Sequence, residues 1–364
     1  MISKNSCWRK TKLIEKLIYK KEIPKLVKDL TRKYTFYAPV DVKGNIEYKR
    51  VQNGKDIELE FLNSKVPPKE ILFPRMETLF KYKISGKNIE IIKPDKIESK
   101  NIIFGIRPCD AHSFVLLEQF FGFGEFKDEL FLNKRKNTIL IGIGCNTPRN
   151  TCFCTSLEGH PFKKDDMDVF MVDLDDRYLV SPISDIGKEI IENLSWLVDA
   201  KEEDLELAMK LSEEAESMIS TTLDIQDSYE FLDSKFSDPI WNEISETCMG
   251  CGTCSFLCPT CTCFDVIDEE DRYNKRGRRI RIWDTCQFCL YSLHTSGHNP
   301  RDSGIERCRN RILHKFSYYP ANYKLIGCVG CGRCIQLCPV NNDLRVIIKR
   351  LNEIKKKEEK TIVA

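Results

Sequence analysis

With 57 lysines and arginines against 55 aspartates and glutamates, this 364-residue chain has a formal net charge of +2, which gives no basis for bulk nucleic-acid binding or adhesion to an anionic membrane. Its length exceeds what one hydrophobic core usually organises and predicts two domains, and no apolar run is long enough for a membrane span. The basic start MISKNSCWRKTK lacks the hydrophobic stretch and cleavage site of a signal peptide, and 18 cysteines used as metal ligands belong in a reducing, oxygen-poor cytoplasm, so a cytoplasmic location is expected.

In chain order, residues 9–32 carry Leu13, Ile14, Leu17, Ile18, Leu26, Val27 and Leu30 at helical spacing, predicting two helices divided at Pro24. Short strands are expected at 35–40 and 46–51, with turn signals at Gly44 and Gly54. The segment VPPKEILFPRMETLFKYK is extended at its prolines and is expected to wrap the surface before a strand at 89–92. Two continuous apolar runs follow, Asn101–Ile106 (NIIFGI) and Thr138–Ile143 (TILIGI), the pattern of parallel strands covered on both faces.

The first apolar run ends at Arg107-Pro108-Cys109-Asp110 before the helical pattern SFVLLEQFF, and the second ends at Gly144-Cys145. Ligands of such sheets gather at the carboxyl ends of strands, where both thiols would stand. Asp110 reads as the N-cap of its helix or as an oxygen ligand. With Cys152 and Cys154 (NTCFCTS), Cys109 and Cys145 would place four thiols in one crevice, either a third metal site or reduced structural cysteines, since C-x-C alone is a weak motif. Further on, a strand is expected over 167–180, helices over 186–197 and 201–220, the second a charged cover helix, and a linker over 224–246 containing Pro239 and Trp241.

The most specific pattern occurs twice. Cys248, Cys251, Cys254 and Cys258 before Pro259 read C-x2-C-x2-C-x3-C-P, and Cys328, Cys331, Cys334 and Cys338 before Pro339 repeat it. This is the bacterial ferredoxin run for [4Fe-4S] clusters, in which the fourth cysteine serves the other cluster. One cube is therefore assigned to Cys248, Cys251, Cys254 and Cys338, and the second to Cys328, Cys331, Cys334 and Cys258. Structural zinc uses paired C-x2-C spacings and not a triple run with a trailing C-P, which disfavours a zinc scaffold.

Between the runs lies an insert, 264–326. Lengthening a loop costs only ~0.6 kcal/mol per doubling, so the two runs can still form one dicluster unit. Cys261, Cys263, Cys286 and Cys289 around it either hold one more metal or pack beside the cubes; Cys7 and Cys308 have no partner by spacing. The basic stretch 275–281 (KRGRRIR) reads either as a solvated turn or as cations beside anionic clusters that could dock an acidic redox partner. None of the five histidines shows ligand spacing; His294 and His298 are four apart, but Gly297 and Pro300 oppose a helix there. With no nucleotide-binding glycine loop, no flavin, nucleotide or hydride site is expected on this chain, and GFGEF at 122–126 lacks the helix such a loop requires.

Motifs spread over nearly the whole chain carry a resemblance: YAPV, PPKEILFPRMETLF, FGIRPCD, CFC, CPTCTC, WDTCQF, SGHNPR and CVGCGRC. The sequence resembles the iron-sulfur subunit shared by sulfhydrogenases (their beta subunit) and anaerobic sulfite reductases, a dicluster ferredoxin-type protein. WDTCQF followed by SGHNPR is more similar to the sulfhydrogenase branch; Cys289 and Cys308 depart from the family pattern. The resemblance implies a non-catalytic electron-transfer subunit, placed between a hydrogenase or sulfite reductase subunit and a flavin-bearing, NAD(P)H-dependent one. It also implies that Cys109, Cys145, Cys152 and Cys154 ligate a third [4Fe-4S] cluster. The expected layout is an α/β domain with a mixed or parallel sheet (1–223), a linker (224–246), an α+β dicluster domain (247–345) with the 264–326 insert, and a C-terminal helix and tail (346–364).

Overall fold

The computed structural model describes residues 15–94, 99–225 and 228–363. Cys7, Leu13 and Ile14 lie outside the described residues. Twelve strands can be followed among those described: β1 (Lys16–Tyr19), β2 (Thr35–Val42), β3 (Asn45–Arg50), β4 (Met76–Ser85), β5 (Asn88–Ile92), β6 (Asn101–Ile106), β7 (Thr138–Ile143), β8 (Val169–Asp173), β9 (Arg177–Pro182), β10 (Val198–Asp199), β11 (Phe264–Asp271) and β12 (Arg276–Trp283). Eight of them form one mixed sheet in the order β10-β1-β9-β8-β7-β6-β2-β3.

The middle of that sheet is parallel (β2 with β6, β6 with β7, β7 with β8) and its flanks are antiparallel. Every residue of β6 and β7 is buried, as their unbroken apolar sequence requires. One face is covered by the helices Ile23–Leu30 and Asp185–Glu192, through Leu26, Val27, Leu30, Ile190 and Ile191. The other is covered by Pro108–Gly122, Glu129–Lys136 and Glu202–Ser217, through Phe114, Leu117, Phe131, Ala208 and Ala215.

Three expectations need correction. The first half of the 9–32 segment is not helical where it is described: Lys16–Tyr19 is a strand, paired with β9 and β10. Leu17 and Ile18 are buried on opposite faces of the sheet, Leu17 in one core and Ile18 in the other, and adjacent apolar residues fit a strand covered twice as well as a helical stripe. The VPPKEILFPRMETLFKYK segment is only briefly irregular. After the short helix Lys69–Leu72 it becomes β4, the longest strand described, which pairs with both β5 and β12. Finally, 224–246 holds the helices Ser228–Ser234 and Ile240–Ser245, and its Trp241 is buried in a core with Ile312, Phe316 and Ile348.

The insert does not loop freely over the dicluster unit. Its strands β11 and β12 form a hairpin, and β12 adds to β4, giving a second sheet in the order β11-β12-β4-β5. The basic stretch from Arg276 on is thus neither a solvated turn nor a set of cations beside the clusters, but a paired strand. Arg276, Arg278 and Arg279 pair across the ladder with Asp271, Glu269 and Asp268. Arg281 is buried between Glu77 and Asp128, its guanidinium over the rings of Phe73, Phe121 and Phe264.

Candidate metal centres

The two ferredoxin runs fold alike because each is C-x-G-C-G-x-C. Gly250 and Gly252 take φ of +67° and +74°, Gly330 and Gly332 +63° and +73°, conformations that favour glycine and let the loop wrap its thiols around a common centre. After each loop a single helical turn, Thr253–Phe256 or Arg333–Gln336, leads to the fourth cysteine and its proline. The structure brings Cys248, Cys251, Cys254 and Cys338 to the wall of one cavity, which Cys308 and Cys334 also line. Cys258 lies among Cys328, Cys331 and Cys334, close enough that each of those sulfurs feels its charge. Each fourth cysteine thus lies beside thiols of the other run.

The third group converges as well. Cys109 stands in the first turn after β6 and Cys145 two residues past β7, so adjacent parallel strands deliver both thiols to the same edge. Cys152 and Cys154 join them in one cavity lined also by His160, Gly330 and Cys331. His160, one of the histidines read as structural, borders this cavity, but its Nδ1 accepts a hydrogen bond from the Phe162 N–H at 2.9 Å. Asp110 is neither N-cap nor free ligand: Arg107 occupies the cap position, and the Asp110 carboxylate receives both terminal nitrogens of Arg333 at 2.7 and 2.8 Å, with both side chains fully buried. Arg333 sits between Cys331 and Cys334, so this bidentate pair ties the second ferredoxin loop to the N-terminal sheet.

Of the four thiols around the insert, Cys261, Cys263 and Cys286 line one cavity of about 320 Å³, whereas Cys289 is exposed and does not border it. Cys308, unpartnered by spacing, is buried with its sulfur in hydrogen-bonding contact with Cys248.

Burial raises several thiols of the dicluster unit, Cys254, Cys328, Cys331 and Cys334, but two others are held down. Contact with the Cys308 thiol, against the cost of burial, lowers Cys248 to about 6. Contact with Cys261 and, against burial, the charges of Lys315 and Arg311 hold Cys258 well below the usual thiol value. In the N-terminal group burial dominates and pushes Cys152 and Cys154 up to about 12 and Cys109 well above its ordinary value.

The fit to iron-sulfur clusters is tested by cations that sequence reading missed. The helix Gly304–Leu313 runs through a wide π turn, His314–Tyr318, and its Cys308, Arg311 and Lys315 share a buried stripe. Arg311 Nη1 points at Cys261 Sγ at 3.9 Å with the sulfurs of Cys254, Cys258 and Cys334 around it. Lys315 Nζ donates to Cys258 Sγ at 3.3 Å, to Thr260 Oγ1 at 2.9 Å and to the Gly327 carbonyl at 2.8 Å. Burial opposes both charges, yet the surrounding sulfurs hold both above their ordinary values. Among the described residues neither cation pairs with a carboxylate. Buried cations need anionic partners, and thiolate-bound cubes supply them. The legible signal was the charge itself at spacing i, i+3, i+7 from a buried cysteine.

Such an arrangement defines an iron-sulfur protein of the dicluster ferredoxin type, and similarity to known proteins agrees: residues 247–342 match the family described as 4Fe-4S dicluster domain. Over 324 residues the chain is 31% identical to sulfhydrogenase 2 subunit beta of Pyrococcus furiosus, covering 88% of this chain and 92% of that protein. The chain belongs to the sulfhydrogenase beta-subunit family. No solved structure matches it. Among the described residues no helix is long and apolar enough to cross a membrane.

Proposed function

We propose that this chain is the electron relay of a sulfhydrogenase-like complex, passing electrons one at a time between a catalytic subunit of the hydrogenase type and a flavin-bearing subunit that oxidises NAD(P)H. In this reading Cys248, Cys251, Cys254 and Cys338 hold one [4Fe-4S] cube, Cys258, Cys328, Cys331 and Cys334 a second, and Cys109, Cys145, Cys152 and Cys154 a third. Each cube supplies one reversible electron. The observation that carries the reading is the burial of Arg311 and Lys315 among these sulfurs, because buried cations directed at cluster-ligand sulfurs stabilise the negative charge that a reduced cube gains, as a relay requires. The remaining residues bind and orient: the loop glycines shape each cradle, and the Arg333–Asp110 pair holds the second loop against the N-terminal group. Cys331 borders the N-terminal cavity and Cys334 the first one, which supports a second cube standing between the other two.

Iron and acid-labile sulfide on anaerobically purified protein test it, with zinc measured alongside. About twelve irons per chain are expected. About eight would confine the clusters to the dicluster unit, and zinc in place of iron would overturn the relay. Replacing Cys254 with Ala should remove one cube and stop transfer between the partner subunits while their own dye-linked activities persist; transfer at full rate would refute the assignment. Co-purification with a siroheme protein in place of a nickel-iron subunit would instead make the chain the corresponding iron-sulfur subunit of an anaerobic sulfite reductase.

A further inference from the structure

The thiols around the insert repeat the plan of the N-terminal group. Cys261 and Cys263 form a C-x-C step, as Cys152 and Cys154 do, and Cys286 follows a strand end, as Cys145 does. Antiparallel pairing brings the start of β11 to the end of β12: Phe264 lies opposite Trp283, and the Asp284 N–H donates to the Cys263 carbonyl at 3.0 Å. Cys261, Cys263 and Cys286 thereby line one cavity of about 320 Å³. His314, the first residue of the π turn, lines it too; its ring packs edge-on to Tyr319 and makes no hydrogen bond among the described residues.

The charge of the wall calls for an anionic occupant. Arg301, Arg311 and Lys315 line the cavity, and no carboxylate does. Lys69, fully buried, donates to the Cys261 carbonyl at 2.8 Å, lies 4.3 Å over the Trp283 ring and pairs with no carboxylate among the described residues. Buried cations need anionic partners, and thiolates on a metal centre would supply them. Ser255 Oγ and Gln287 Nε2 stand 3.6 and 3.4 Å from Cys286 Sγ, and Arg311 Nη1 3.9 Å from Cys261 Sγ, the polar surroundings a ligating thiolate takes. Among the described residues no three metal-ligating side chains close on a single ion, here or at the three assigned groups. A lone zinc draws its ligands to within about 2.0–2.3 Å of one point, whereas a cluster spreads them over its corners, so the arrangement suits a cluster.

We propose that Cys261, Cys263, Cys286 and His314 hold a fourth [4Fe-4S] cube, an inference that goes beyond the three-cube relay and rests on the dicluster assignment for its neighbours. Cys286 touches Ser255, next to Cys254 of the first cube, and Lys315 on the cavity wall donates to Cys258 of the second at 3.3 Å. The cavity opens past half-buried Cys263, Tyr291 and Arg301. Electrons in the dicluster unit thereby gain a branch with its own way to the surface, carried one at a time. The cations of the wall offset the negative charge that each electron adds.

Iron, acid-labile sulfide and zinc on the full-length protein, purified anaerobically, test it. The three cubes of the relay alone supply about twelve irons, and a fourth raises the count to about sixteen. Cys286→Ser should lose about four irons and keep the four that Cys145→Ser loses. A wild-type count of about twelve, of which Cys145→Ser loses four, would overturn the inference and leave the relay intact. So would Cys286→Ser with its iron unchanged, whether or not one zinc per chain is lost. Unchanged iron in Cys145→Ser would instead fail the third cube of the relay, while Cys286→Ser still reads the fourth. His314→Cys guards against a folding defect. It should keep every iron and lower the potential of one cube, since imidazole in place of thiolate raises cluster potentials. An EPR-monitored titration of that variant in which no cube moves would overturn the assignment.

Discussion

The two ferredoxin loops share their spacing and their left-handed glycines but lean on different supports. At Gly252 an added Cβ would lie 2.7 Å from the Thr285 methyl, a side chain of the insert; at Gly330 it would lie 2.5 Å from the backbone nitrogen of Cys154, in the N-terminal half. Cys251 is exposed, whereas its counterpart Cys331 is buried against the N-terminal thiols. Equal motifs thus sit in unequal surroundings. One loop leaves its second cysteine open to solvent, and the other is joined to the sheet.

Breaking the join should give the largest effect. Asp110→Asn leaves the Arg333 guanidinium buried without its counter-charge, and losing one partner of a buried pair typically costs about 3–5 kcal/mol. A marked fall in the melting temperature is expected, and iron analysis should show the N-terminal centre lost first. The same substitution strategy at the outward loop has no equivalent, because Thr253 holds the place of Arg333 there.

Alanine at the paired glycines sharpens the contrast. Gly330→Ala meets backbone as well as an unfavourable φ and should cost more than Gly252→Ala, where a threonine side chain can turn aside. The conformational part alone is about 1–2 kcal/mol for each, so the difference in denaturant midpoint isolates the backbone clash.

Removing a cation should act on potential more than on stability. In Lys315→Met the added electron loses a compensating charge, so the second cube becomes harder to reduce and its potential falls. A shift of about −60 mV, equivalent to a tenfold change for one electron, would appear in EPR-monitored titration, with the first cube moving less. An unchanged potential would remove Lys315 from the relay.

The smallest expected difference concerns loading. A thiol must lose its proton to bind iron, so one with a raised value binds more tightly as pH climbs towards that value. Cys152 and Cys154, pushed up to about 12, are protonated at neutrality, while Cys248, lowered to about 6, is already ionised there. Reconstitution of the apoprotein at pH 7 should fill the outward centre before the N-terminal one. Raising the pH to about 9 should narrow the lag, and the ratio of the two cluster signals over time measures it.

What the sequence made readable follows the same divide. Strands β6 and β7 were plain because six consecutive apolar residues in each admit little else, and the cysteines after them followed from strand direction. The runs were readable because cluster geometry fixes thiol spacing locally. The insert was opaque, since its place depends on β4, some 200 residues earlier, and its arginines look alike whether paired across a strand or free in a turn. Arg311 and Lys315 escaped for a related reason: a buried cation is recognisable only once the sulfurs around it are known. Lys16–Tyr19 was misread because two adjacent apolar residues carry no period.

The pairing of β12 with β4 also bears on how the chain is made. Strand β4 leaves the ribosome early, yet the edge that β12 will cover, from Met76 to Lys83, stays bare until residue 283 has been synthesised. An uncovered strand edge invites pairing with other chains. Every nascent copy therefore passes through an interval in which its main sheet is complete, its second sheet is half built and the last cysteine run does not yet exist, and iron delivered in that interval finds only partial ligand sets.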